Sequence, residues 1–134
     1  MRPTKLAAAA ALLLALAAAA GCRTEGGPQA GPSTAPEIGR PTVLVFGLGP
    51  RCRYCVELKE EIGRVTEQTG DAVIFRDIRV DRDTAEVRAY RVVLSPTLVF
   101  LDAGGVEVSR HQGLLDARQL LERLADLGFW PRRG

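Results

Sequence analysis

Cys52 and Cys55 stand three positions apart where an uninterrupted apolar run hands over to a helical repeat. That junction constrains the fold more than any other stretch of the chain. Thr42-Val43-Leu44-Val45-Phe46 is apolar and β-branched without alternation, the pattern of a strand buried on both faces. Gly47-Leu48-Gly49-Pro50 breaks it. From Cys52 on, Cys55, Leu58, Ile62 and Val65 recur at helical spacing with charged residues between them, and Gly70 ends the pattern. A pair spaced in this way at a helix start lies on one face, so its sulfurs can meet. The helix N-terminus offers unpaired N–H groups and a partial positive charge, which favour a thiolate on Cys52. Cys55 shares the buried stripe. The expectation is an exposed, nucleophilic Cys52 beside a shielded Cys55, the asymmetry that thiol–disulfide exchange requires.

Other roles for the pair are weaker. A zinc site usually takes four ligands, and beyond these two cysteines the domain has only His111. A static disulfide closing so short a loop would stabilise little. Gly47-Leu48-Gly49 lacks the third glycine of a dinucleotide loop. His111 is expected as a partly exposed strand residue, and Trp130 as a packing lid.

Downstream, Ala72–Val80 reads as a second strand, Asp83–Tyr90 as a short helix and Thr97–Leu101 as a third strand. Asp102-Ala103-Gly104-Gly105 is a turn, after which Val106–His111 pairs back as a hairpin. Asp116 reads as an N-cap with Gln119 as its reciprocal partner, and Leu120, Leu121, Leu124 and Leu127 form one face of a last helix. The order β-α-β-α-β-β-α predicts an α/β domain, a central mixed sheet flanked by helices. Its active site belongs where the first strand meets its helix, which is the position of Cys52.

The 134-residue chain is sized for one domain. Its first residues differ from the rest. Met1-Arg2-Pro3-Thr4-Lys5 precedes Leu6–Ala20, which contains only Ala and Leu, and Ala19-Ala20-Gly21 ends the run before Cys22. A charged start, a short apolar run and small residues describe an export signal over residues 1–21. The formal charge of +2 belongs to Arg2 and Lys5, so the remainder is balanced. That balance argues against nucleic acid as a partner. Residues 22–40 are rich in Gly and Pro and cannot bury enough apolar area to order themselves, so they read as a tether. The domain takes residues 41–134.

Two resemblances rest on these residues. Ala19-Ala20-Gly21-Cys22 resembles the lipobox of bacterial lipoproteins, with Ala19 where Leu is usual. It implies lipidation of Cys22 and an exported protein held at the periplasmic side of a membrane. The domain resembles the thioredoxin superfamily. A buried strand leads to Cys52-Arg53-Tyr54-Cys55, Ser95-Pro96-Thr97 precedes a later strand, and the hairpin, Gly113 and a closing helix follow. The resemblance implies that Cys52 attacks, that Cys55 resolves, and that Pro96 is a cis-proline facing them. The Ser95 backbone then pairs with substrate, beside Arg53 and Tyr54. It further implies protein disulfides or dithiols as substrates, a membrane electron-relay partner, a monomer, and no cofactor beyond the Cys52–Cys55 couple. The expected function is a membrane-tethered thiol–disulfide oxidoreductase that reduces substrate disulfides outside the cytoplasm, with a dithiol oxidase or isomerase using the same pair, and a noncatalytic binding module, as the alternatives.

The chain departs from the family at three points. Arg51 replaces the usual Trp before the first cysteine, Arg53-Tyr54 replaces a small or proline-containing pair, and Phe46 stands where thioredoxins place a buried Asp. Phe46 cannot accept a proton, so resolution by Cys55 is expected to be slower or to use another acceptor.

Overall fold

The computed structural model describes residues 39–132. Cys22, the leader and most of the Gly/Pro-rich segment lie outside the described residues. The elements follow the expected order: β1 (Thr42–Gly47), α1 (Arg53–Thr69), β2 (Ile74–Arg79), α2 (Thr84–Ala89), β3 (Thr97–Leu101), β4 (Glu107–Gln112) and α3 (Ala117–Asp126). They build one mixed four-stranded sheet in the order β2-β1-β3-β4. β1 runs parallel to β2 and antiparallel to β3, and β3 runs antiparallel to β4.

The unbroken apolar sequence of β1 has a structural reason, because both of its faces are covered. Val43 and Val45 join Leu98 and Phe100 under Leu58, Ile62 and Val65 of α1 and Leu120 and Leu124 of α3. Leu44 and Phe46 join Ile78, Val99 and Leu101 on the other side, against Val87 and Tyr90. The Phe46 ring packs against Tyr90 with centroids 5.8 Å apart. The position that the resemblance associates with a buried acid is thus filled by an aromatic contact. Trp130 packs on the cluster beneath α1 and α3. His111 lies half-buried on β4, opposite Leu98.

Several boundaries differ from the sequence reading for local reasons. Cys52 caps α1 and is not its first helical residue. β2 starts at Ile74 because Gly70–Ala72 winds into a 3₁₀ turn after the helix. β4 starts at Glu107 because the Asp102 carboxylate accepts from the N–H groups of Gly104 and Val106, drawing Val106 into the turn.

At the far end of the chain, the Asp116 carboxylate accepts from Gln119 N–H at 2.8 Å, and Asp116 N–H donates to Gln119 Oε1 at 3.1 Å. Ala117 N–H donates to Glu61 of α1 at 2.8 Å, which fastens the start of α3 to α1.

Candidate active site around the Cys52–Cys55 disulfide

Antiparallel pairing makes the site. Phe46, near the end of β1, lies opposite Thr97, the first residue of β3. The loop that leaves β1 and the loop that enters β3 therefore meet at one edge of the core. The first carries both cysteines and the second carries Ser95 and Pro96.

Beyond β1, Gly49–Arg51 forms a 3₁₀ turn, with Pro50 supplying a fixed φ and no N–H. Cys52 N–H closes that turn on the Gly49 carbonyl at 3.1 Å. Gly49 has φ 69°, and a Cβ there would lie 2.8 Å from Cζ of Arg79. The positive φ favours glycine, and a side chain there would also have to displace the Arg79 guanidinium. The Arg79 guanidinium that fills this space is held by two hydrogen bonds to Asp81, at 2.9 and 2.8 Å. That contact is the main cause of the lowered pKa of Asp81.

Cys52 and Cys55 form a disulfide, with Cα atoms 5.1 Å apart. Sγ of Cys52 accepts the N–H of Cys55 at 3.1 Å, so the sulfur itself caps the helix. The Cys52 carbonyl accepts from Cys55 and Val56, each at 3.0 Å. Reduction would leave the Cys52 sulfur pointed at this N–H, where a negative charge is favoured.

Cys55 is less enclosed than its place in the apolar stripe suggests. Both cysteines are half-buried. Gly47 explains this for Cys55. A Cβ at Gly47 would meet Cβ and Sγ of Cys55 at 3.4 Å, so an ordinary side chain there would wall the sulfur in. With Gly47 and Gly49 bare, a cavity of about 280 Å³ opens behind the pair. Val45, Cys55, Lys59, Asp77 and Pro96 are among its lining residues. Lys59 of α1 donates to Asp77 of β2 at 2.6 Å. Neither residue stood out in the sequence, although Lys59 lies one helical turn after Cys55.

The Ser95–Pro96 peptide is cis, as the resemblance implied, and Pro96 is buried. Thr97 Oγ1 donates to the Leu94 carbonyl at 2.7 Å, and Gly113 N–H to the Pro96 carbonyl at 2.8 Å, which fixes the loop from both sides. The Ser95 hydroxyl donates to the Phe46 carbonyl at 3.4 Å and lies 3.9 Å from Cys55 Sγ. A disulfide sulfur has no proton to give, so this hydroxyl is the one donor the two groups share. The sequence reading assigned a role to the Ser95 backbone and missed the side chain. Arg53 and Tyr54 are exposed beside the disulfide. Glu57 and Glu60 also face solvent. Among the described residues, no cluster of three or more His, Cys, Asp or Glu side chains could hold a metal ion.

The sequence model of the thioredoxin-like domain matches residues 29–128. Solved structures agree. A thioredoxin-like protein of Clostridium perfringens is 29% identical, with TM-score 0.60, over 69% of this chain and 74% of that one. Fasciola hepatica thioredoxin is 26% identical, with TM-score 0.59, over 67% and 83%. A chloroplastic thioredoxin z is 23% identical, with TM-score 0.61, over 67% and 80%, and shows the fold alone. No curated protein sequence matches.

Proposed function

Since the chain belongs to the thioredoxin-like family, we propose that it is a thiol–disulfide oxidoreductase that reduces protein disulfides outside the cytoplasm from a membrane tether. The observation that carries the reading is a disulfide at a helix N-terminus whose Cys52 sulfur accepts a backbone N–H, with a cis-proline loop beside it.

In the reducing direction the Cys52 thiolate attacks one sulfur of a client disulfide. A mixed disulfide forms, and the other client sulfur leaves as a thiolate that takes a proton from water. Cys55 then loses its proton and attacks Cys52 Sγ. The Cys52–Cys55 disulfide closes and the second client sulfur leaves, protonated in turn. Two electrons pass from the pair to the client. A dithiol partner returns the pair to its reduced form by the same exchange, and a membrane protein that relays electrons across the bilayer suits that role. No metal or nucleotide enters these steps. The helix N-terminus lowers the energy of the attacking thiolate and of the thiolate formed in the reverse step, so the same geometry serves an oxidase or isomerase.

Dithiothreitol-driven reduction of insulin tests the activity. Catalysis by the full chain that vanishes in Cys52→Ser is expected, and an uncatalysed rate would leave only a binding module. The reduction potential of the pair then separates reductant from oxidant, since family couples run from about −270 to about −120 mV. The tether has its own test. Cys22→Ser should release the protein from membranes with insulin reduction intact, and unchanged membrane association would remove lipidation from the proposal.

A further inference from the structure

The chain beyond Arg2 and Lys5 is electrically balanced, yet its charges are not evenly matched in space. Most of the exposed arginines away from the site are answered by acids, as in Arg64–Glu61, Arg110–Glu107, Arg118–Glu122 and Arg132–Asp126. At the cavity Asp77 is committed to Lys59, and Arg79 to Asp81. Arg82, Arg88 and Arg91 are exposed without an ion pair among the described residues, and so are Arg51 and Arg53. What sets Arg51 and Arg53 apart is their place, directly flanking Cys52. The acid nearest them along α1 is Glu57, one turn beyond Arg53 and exposed.

Exposed apolar residues adjoin these two charges along the chain, and others adjoin Ser95. Leu48, Tyr54 and Val56 are exposed on the Cys52 side, at 41%, 61% and 42%. Val93 and Leu94, which lead into Ser95, are exposed at 79% and 57%. Elsewhere among the described residues, the exposed large apolar side chains are Val106 and Val108 at the hairpin. Such a surface suits an apolar client segment, and two exposed guanidiniums within it suit a carboxylate on that segment.

We propose that Arg51 and Arg53 select clients whose reacting cysteine has aspartate or glutamate beside it, on an extended and otherwise apolar segment. This rests on the oxidoreductase reading above and names its substrate class. The Ser95 hydroxyl lies 3.9 Å from Cys55 Sγ, so a client that reaches Cys52 between the two loops brings its flanking side chains near both guanidiniums. Each carboxylate met there gains roughly fivefold or less, as exposed ion pairs do, and the gain fades with salt.

The test uses three disulfide-bonded peptides of one length that carry Glu, Gln or Lys on both sides of the cysteine. Reduction by the full chain, previously reduced with dithiothreitol, is followed in roughly 0.01 M and roughly 1 M salt. A small uncharged disulfide gives the intrinsic reactivity of Cys52, against which every rate is normalised, so that altered thiolate character in a variant cancels. The expected order is Glu, Gln, Lys, with about tenfold between the ends at low salt and near equality at high salt. The paired substitution Arg51→Glu/Arg53→Glu should reverse the order, and Arg51→Gln/Arg53→Gln should flatten it. Equal normalised rates for the three peptides, or an order unmoved by the charge reversal, overturn the proposal and leave the oxidoreductase reading intact. If neither the uncharged disulfide nor any peptide is reduced, the oxidoreductase reading falls. Binding of the same peptides with serine in place of cysteine then decides the surface alone. Preference for the Glu peptide supports it, and no preference overturns it.

Discussion

Two sulfurs three residues apart are chemically alike until their neighbours are counted. Cys52 Sγ accepts an N–H at 3.1 Å, whereas the polar neighbour of Cys55 Sγ is a hydroxyl at 3.9 Å that already donates to Phe46. The stronger donor should make Cys52 the more ionised thiol in the reduced protein. Limiting alkylation at neutral pH, mapped by mass spectrometry, should therefore label Cys52 well before Cys55, and the opposite order would reverse the assigned roles. Ser95 matters in the second half of the cycle. As Cys55 ionises, the hydroxyl can turn from the Phe46 carbonyl to the new thiolate, a charged and better acceptor. Ser95→Ala should slow release from a preformed Cys52 mixed disulfide by about tenfold, one charge-assisted hydrogen bond. Ser95→Thr should recover most of it, with attack by Cys52 on the client unchanged in both. Single-turnover kinetics separate the two steps. Phe46→Asp is a poor route to faster resolution, because it would bury a carboxylate among Leu44, Ile78, Val99 and Leu101 with no evident partner.

At the level of elements, the two helices on one side of the sheet are joined through a hydrogen bond from a backbone N–H to a carboxylate as well as through their cores. Glu61 of α1 accepts from Ala117 N–H, one of the unpaired donors at the start of α3, while Asp116 and Gln119 satisfy others. Asp116→Ala should cost about 1 kcal/mol, the usual worth of an N-cap. Glu61→Ala should cost a similar amount, about 1 kcal/mol, for the lost bond to a helix terminus. Both residues serve one helix end, so the double variant should fall short of the sum. Urea denaturation of the three variants checks this, and full additivity would mean that the two contacts act separately.

The sequence was most informative where one interaction range decides. β3 could be placed by its apolar run and α3 by its cap, because both signals are local. The junction at Cys52 was legible for the same reason. Contacts between elements were not. Lys59 and Asp77 lie 18 residues apart, and nothing short of the register of β2 against β1 puts them in one cavity. The half-exposure of Cys55 depended on Gly47, a residue that reads as a strand breaker until its place against the sulfur is seen.

For the molecule as a whole, the fold moves the protons of Tyr90 and Asp81 in opposite directions. The Tyr90 hydroxyl is raised above 10.0, chiefly by burial and secondarily by Glu107 and Glu86. Asp81 is lowered below 3.8, chiefly by its hydrogen bond from Arg79. A raised tyrosine stabilises the fold below its unfolded value and loses that contribution as pH climbs through the folded one. A lowered carboxylate contributes above its unfolded value and loses it as pH falls through the folded one. Urea midpoints of the oxidised protein should accordingly fall at alkaline pH as Tyr90 ionises, while the exposed, solvent-screened Asp81 adds little to the acid limb. Tyr90→Phe should soften the alkaline fall, and an unchanged alkaline limb would assign it to other groups.

The meeting of the β1 exit with the β3 entrance also sets a chronology. Cys55 precedes Ser95 by 40 residues, so the cysteines leave the ribosome well before the loop that completes their site. Until β3 pairs with β1 in register, Cys52 and Cys55 lack the cis-proline loop and the serine opposite them. Closure of one antiparallel ladder thus completes the second half of the cycle, whereas the cap on Cys52 belongs to α1 alone. A molecule opened at that ladder would keep its attacking sulfur, part with the hydroxyl that serves Cys55, and linger as a mixed disulfide with whatever it had attacked.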